Sequence, residues 1–261
     1  MPGIDAAHAP RSNDAISGII QLPSTDAGER IYAVGDVHGR FDLLQKLIER
    51  IGEHNGALPP AKSLHMLFLG DLIDRGPQSA QVLKFLHDLQ RKTSRILVLQ
   101  GNHEEALLQS IDGNLEVLEG WLRFGGAQTL ESFGLRPPGA GDDLRLYLRE
   151  VRSAIPAFYI EWIRRLPLTA RSGDYFFCHA GVRPGVALRR QTREDLLWIR
   201  DDFLADPRHH GAVIVHGHSI ETDVQLRDNR IGIDTGAYRT GILTAIYLED
   251  DKQELISVSM A

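Results

Sequence analysis

Five short segments carry side chains suited to holding a cation and moving a proton. They are Asp36 and His38 in Gly-Asp-Val-His-Gly-Arg, Asp71 and Asp74 in Gly-Asp-Leu-Ile-Asp-Arg-Gly-Pro, Asn102 and His103 in Gly-Asn-His-Glu, His179 in Cys-His-Ala-Gly, and His218 in His-Gly-His-Ser. Each follows an apolar, strand-like run. In open α/β sheets, ligands gather outside the carboxyl ends of the strands, so residues far apart in the chain would converge on one crevice. Carboxylate, carbonyl oxygen and imidazole suit manganese, iron or zinc, and there is no thiolate cluster to select a softer ion. Two cations in one site sit about 3.5–4 Å apart and need a shared ligand, for which a carboxylate is the natural bridge. Two divalent cations, less the charges of Asp36, Asp71 and a bridging hydroxide, leave a net positive site. Such a site would attract a phosphate dianion even in a chain of net charge −6.

The elements that must position these residues can be read around them. Residues 30–34 form an apolar run that stops at Gly35-Asp36, predicting a buried strand ended by a turn. Leu44, Leu47, Ile48 and Ile51 then recur at helical spacing. Residues 64–69 predict a second strand. Pro77 opens a helix with Val82, Phe85, Leu86 and Leu89 on its inner face, and residues 96–99 predict a third strand before Gly101-Asn102. That alternation is the signature of a parallel α/β sheet. From 104 to 172 the pattern turns helical and less regular, with Trp121, Leu122, Gly125 and Gly126, and reads as a helical insert or cap over the sheet. Five later runs, 175–178, 212–215, 230–233, 243–248 and 255–258, are predicted to form a second, more antiparallel sheet.

Length and composition are those of a globular protein. The 261 residues suit one large domain, read as 30–261 behind a loose N-terminal arm at 1–29. The negative balance argues against a broad grip on nucleic acid, which needs a basic face. A single cysteine, Cys178, cannot form an internal disulfide, so a reducing, cytoplasmic setting is the simple expectation. No apolar run is long enough to span a bilayer, and the N-terminus lacks a signal-peptide pattern.

Taken in order, the five segments resemble the calcineurin-like metallophosphoesterase superfamily. They most resemble its phosphoprotein-phosphatase branch, the bacterial and phage-type serine/threonine protein phosphatases, from about residue 31 to 248. The resemblance implies an α/β fold of two mixed β-sheets packed as a central sandwich, flanked by helices and carrying a helical insert. It implies a first metal held by Asp36, His38 and Asp71, and a second held by Asp71, Asn102, His179 and His218. The two divalent ions would be manganese, with iron or zinc as alternatives. His103 matches the family's general acid and Asp74 its partner carboxylate. Arg75 and Arg200 match the phosphate-binding arginines, whose forked donors suit phosphate oxygens, with Asn102 beside them. The implied reaction is direct in-line attack by a metal-bridging hydroxide on a phosphorylated protein or small phosphoester. The loop 234–238 looks like the one that borders this family's site.

Symmetrical dinucleoside tetraphosphate hydrolases are the alternative reading, although they commonly carry Ala at the position of Asp74 and Asp at that of Glu104. The nuclease branch usually ends in Gly-His-x-His, but Ile220 stands at the second of those histidines. A degenerate fold used only for binding should have lost a ligand or the acid, and neither is missing. His216, Trp121 and Trp198 read as packing residues, Trp198 being placed to position Arg200. Glu104 reads as a carboxylate at a helix start or behind the ligands.

Overall fold

Strand β1 (Glu29–Val34) is buried on both faces: Ile31 and Ala33 turn one way, Tyr32 and Val34 the other. This two-sided burial, with alternate side chains on opposite faces, places a strand inside a layered α/β fold. The computed structural model describes residues 22–221 and 223–260. In it β1 runs parallel to β2 (Ser63–Phe68), which runs parallel to β3 (Ile96–Val98). Helices α1 (Phe41–Gly56) and α2 (Ser79–Lys92) make the crossovers. A second sheet holds β4 (Thr169–Ser172), β5 (Tyr175–Cys178), β6 (Val213–His216), β7 (Gln225–Leu226) and β8 (Arg230–Gly232), in the order β4-β5-β6-β8-β7. Strands β9 (Ile242–Glu249) and β10 (Lys252–Ser259) return to the first sheet, whose order is β10-β9-β1-β2-β3.

The two mixed sheets pack face to face. Ile31, Ala33, Leu67, Ile246 and Leu248 from one meet Tyr175, Phe177, Val213, Val215 and Ile231 from the other in a single apolar layer. Outside the first sheet, α1 and α2 share a core with α3 (Asn102–Ile111), α4 (Leu115–Trp121), α5 (Ala127–Ser132), α6 (Leu144–Ala154) and α7 (Ala157–Arg164). Outside the second, Phe176, Cys178 and Ile214 pack with Leu196 of α8 (Arg193–Trp198) and Phe203 of α9 (Asp201–Leu204). The short α10 (Ala237–Thr240) follows β8.

The second sheet differs from its sequence reading. Runs 243–248 and 255–258 do not join it; they form β9, antiparallel to β1, and β10, antiparallel to β9 at the sheet's edge. Its centre is parallel, β5 to β6 and β6 to β8, with antiparallel pairs only at β4 and β7. Residues 1–21, most of the expected loose arm, lie outside the described residues. Ser24 and Thr25 are tied down, the Ser24 N–H donating to Asp174 at 2.9 Å and the Thr25 N–H to the Asp250 carbonyl at 3.0 Å. No helix among the described residues is long and apolar enough to cross a membrane.

Arg30 shows how β1 is fixed at its start. Its side chain is 3% exposed and donates to both oxygens of Glu249 at 3.0 Å, to Asn55 at 2.7 Å and to the Pro59 carbonyl at 2.8 Å. Removing one partner of a buried ion pair leaves the other uncompensated. Arg30→Met should therefore cost about 3 kcal/mol in denaturant unfolding, with catalytic parameters unchanged in the folded fraction.

Candidate metal centre

Six parallel strands, three from each sheet, end along one edge. After β1 comes Asp36, after β2 Asp71, after β3 Asn102, after β5 His179, after β6 His218 and after β8 Asp234. The edge opens into a polar cavity of about 270 Å³ lined by His38, Asp71, Arg75, Asn102, His103, Arg200 and His218, with Ile220, Asp234 and Arg239. Asp36, Asp74 and His179 lie buried behind these residues.

Asp71 is the hub. Its Oδ2 faces His38 Nε2 at 3.5 Å and His103 Nε2 at 3.9 Å, and its Oδ1 faces His179 Nε2 at 3.4 Å. Asn102 Oδ1 lies 2.8 Å from both His179 Nε2 and His218 Nδ1. Two groups of ligand-type residues result among the described residues, His38-Asp71-His103 and Asp71-His179-His218, with the ligand atoms of each within 4.8 Å of one another. Asp71 belongs to both.

The tautomers decide what these atoms can bind. His38 Nδ1 lies 2.8 Å from the Ile73 carbonyl and His179 Nδ1 lies 2.9 Å from the Leu69 carbonyl. A carbonyl only accepts, so both Nδ1 atoms carry the proton. Burial holds these imidazoles neutral, pushing His38 down to about 3 and lowering His179. It also pushes His218 down to about 2. The Nε2 lone pairs of His38 and His179 therefore meet the oxygens of Asp71 and Asn102 with no proton between them. Acceptors that face one another this closely, out of water, fit a cation between them, and neutral imidazole with carboxylate is a suitable donor set.

Asp36 is not drawn into either group. Its carboxyl accepts the His218 N–H at 3.1 Å and hydrogen-bonds Asp234. Burial, then Asp234 and Asp71, push it well above the ordinary carboxylate range, and burial lifts Asp234 to about 6. Two buried carboxyls in contact share a proton until positive charge arrives beside them.

The backbone is bent to make this possible. Among the described residues, six non-glycine residues have left-handed φ, and five are His38, Asp71, Asp74, Arg75 and His218. Each such residue costs about 1–3 kcal/mol, which the surrounding hydrogen bonds must offset. Glu104 does so at the Asp71 turn: its carboxylate accepts the N–H groups of Gly101, Asp71 and Leu72 at 2.9 Å and of Ile73 at 3.3 Å. A Cβ on Gly101 would collide with the Asp71 carboxylate, so only glycine lets the two segments close up.

His103 sits beside this hub. Its backbone N–H donates to Asp71 Oδ1 at 3.0 Å, and its Nδ1 lies 2.5 Å from Asp74 Oδ2. Burial opposes charge on the imidazole, but the Asp71 and Asp74 carboxylates outweigh it and lift the pKa from 6.5 to about 9. With Nδ1 held by Asp74, Nε2 borders the cavity, where an Arg75 Nη2–H faces it at 3.3 Å. Tyr238, in α10, stacks with its ring centroid 4.6 Å from the Arg75 guanidinium carbon and accepts from its Nη1. Arg200 and Arg239 are exposed on the rim.

Several participants escape the sequence reading. Arg239 and Thr129 are among them, Tyr238 was read only as part of the bordering loop 234–238, and Trp121, read as packing, donates with Thr129 to Asp74. Gly125-Gly126 inside a helical pattern was the available signal, and the chain kinks there, with Gly125 at φ 123° between two helical stretches. Trp198 is 44% exposed and donates to Glu105 at 2.5 Å. With Trp121, Phe124, Ala106 and Val117 it lines an apolar cavity of about 380 Å³ that shares Arg75, Asn102, His103 and Arg200 with the polar one. His216 packs against Phe203, 5.1 Å between ring centroids, as a packing residue should.

Comparison with known proteins agrees with this geometry. The model of the family described as calcineurin-like phosphoesterase matches residues 29–241. A bis(5'-nucleosyl)-tetraphosphatase PrpE (asymmetrical) of Oceanobacillus iheyensis is 25% identical over 88% of this chain and 92% of its own length. A symmetrical bis(5'-nucleosyl)-tetraphosphatase of Methylococcus capsulatus is 34% identical over 59% of this chain, but the match spans only 44% of that enzyme. Among solved structures, a cold-active protein tyrosine phosphatase shares the fold with a TM-score of 0.56 at 20% identity, over 90% of this chain and 81% of its own.

Two predictions follow from the centre. Asp71→Asn, which removes the shared charge, should lose bound cation from both halves together when metal content is measured after dialysis. For substrates with poor leaving groups, kcat/KM should fall as pH rises through an alkaline limb between 6.5 and about 9, because the proton lost there is that of His103. Cations beside Asp71 offset its negative charge, so about 9 is the upper edge of that limb.

Proposed function

The chain belongs to the calcineurin-like phosphoesterases, and from that premise we propose that it is a metal-dependent phosphomonoesterase acting on serine/threonine-type phosphoesters. Asp36, His38 and Asp71 would hold one divalent cation, and Asp71, Asn102, His179 and His218 the other, with manganese the preferred ion. Cations held there supply Lewis acidity and bring the pKa of water towards about 7. The chain's own groups do the rest. Arg75 and Arg200 bind and orient the phosphoryl oxygens, helped by the fork geometry of guanidinium. Tyr238 keeps Arg75 aimed. His103 gives the Nε2 proton to the departing oxygen, and Asp74 orients that imidazole.

The observation that carries this reading is the His103–Asp74 pair, closed at 2.5 Å and raised to about 9. An alkoxide such as that of serine is strongly basic and leaves poorly without a proton. A polyphosphate leaving group is far less basic and gains less from an acid. An imidazole held on a buried carboxylate, and so placed to give a proton, therefore suits an alkyl phosphoester.

Dinucleoside tetraphosphate hydrolysis is the second reading. It is favoured by the Oceanobacillus relative, which is so named and matches nearly full length. The apolar cavity supports it too, since the exposed rings of Phe124 and Trp198 beside the phosphate site could face a nucleobase.

A substrate panel with added Mn²⁺ separates the two: phosphoserine and phosphothreonine peptides, diadenosine tetraphosphate and bis-p-nitrophenyl phosphate. The phosphopeptides should give the highest kcat/KM, and His103→Asn should retain cations yet lose about 10²–10⁴-fold on them. A higher kcat/KM for diadenosine tetraphosphate, with little effect of His103→Asn, would favour the second reading instead.

A further inference from the structure

Asp74 is fully buried, and each of its carboxylate oxygens is spoken for. Oδ2 accepts from His103 Nδ1 at 2.5 Å and from the indole Nε1–H of Trp121 at 2.7 Å. Oδ1 accepts from the Thr129 hydroxyl at 2.6 Å. The same hydroxyl oxygen accepts the Asp74 backbone N–H at 2.9 Å, so Thr129 clips both ends of one residue. Ser79 also accepts that N–H, at 3.0 Å. The Gly125 carbonyl accepts the N–H of Arg75 at 3.1 Å, and a Cβ on Gly126 would strike the Trp121 ring. Asp74 and Arg75 both sit at left-handed φ, 75° and 68°, which needs outside support. That support comes from the stretch 121–129, kinked at Gly125, which bonds both residues directly.

We propose that Trp121 and Thr129 are positioning residues for proton donation, holding the Asp74 carboxylate at the one setting that aims His103 Nε2–H into the phosphate cavity. Neither reaches the phosphoryl group; they act through Asp74. Without the indole N–H or the hydroxyl, the carboxylate is free to rotate away from His103. The imidazole then loses its aim, while the ligands around Asp71 keep theirs. Hydrogen bonds to a carboxylate are the strong kind, so the effect of losing one is large enough to measure. The inference rests on the acid role given to His103 above.

The test compares phenyl phosphate, whose leaving group needs a proton, with p-nitrophenyl phosphate, whose leaving group does not. Trp121→Phe keeps the ring and removes the N–H; Thr129→Val removes the hydroxyl and Thr129→Ser restores it. Trp121→Phe and Thr129→Val should keep wild-type metal content, lose about tenfold on phenyl phosphate and change less than about twofold on p-nitrophenyl phosphate. Thr129→Ser should recover the loss. An equal loss on both substrates means a general structural effect and overturns the proposal, as does an unchanged rate on phenyl phosphate. Should Thr129→Val not fold, Trp121→Phe decides alone. His103→Asn in the same assay separates the two levels. If it leaves phenyl phosphate turnover unchanged, the acid assignment itself fails. If it slows that turnover while Trp121→Phe does not, only the positioning role fails.

Discussion

Hydrogen-bond acceptors that face one another across the Asp71 carboxylate are the constraint around which this protein is built. The carbonyls of Leu69 and Ile73 take the Nδ1 protons of His179 and His38, so both rings turn bare Nε2 atoms inward. Burial removes the alternative of protonating them. Buried polar groups without partners are costly, and here the partner that satisfies all of them at once is positive charge. The left-handed turns at His38, Asp71 and His218, and the four N–H groups gathered by Glu104, keep those acceptors in place.

The His103–Asp74 pair shares this frame. His103 follows Asn102 directly at the start of α3, and its N–H anchors on Asp71 while its ring anchors on Asp74. Ligand geometry and donor geometry are therefore set by one turn of helix. Asp74 in turn leans on a stretch of the helical region that follows β3, so that region belongs to the same core as one face of β1 and contributes to the site. Arg75, Arg200 and Arg239 line the cavity with Asp71 and Asp234, so that with divalent cations bound the site would be locally positive in a chain of net charge −6.

How much of this was legible in the sequence depended on how local each signal was. The segments at Asp36, Asp71, Asn102, His179 and His218 each place a ligand type just past an apolar run, and strand ends do bring them to one edge. Tyr32, Val34, Leu44 and Leu47 show the core faces that periodicity predicts. Sheet membership was less legible. The runs that became β9 and β10 look like any antiparallel hairpin, and only long-range pairing with β1 places them in the first sheet. Trp121 and Thr129 were hidden for a different reason. A glycine kink breaks the hydrophobic period, and an indole that both fills a core and donates one hydrogen bond reads as packing. Asp234 was visible only as part of a bordering loop, because its contact with Asp36 joins residues from different sheets.

The most direct measurement is anomalous diffraction from crystals of the protein soaked in Mn²⁺. Two peaks about 3.5–4 Å apart are expected, bridged by the Asp71 carboxylate. One should lie against His38, with Asp36 swung away from Asp234 to meet it, and the other against Asn102, His179 and His218. A single peak, or peaks that leave Asp71 untouched, would contradict the account.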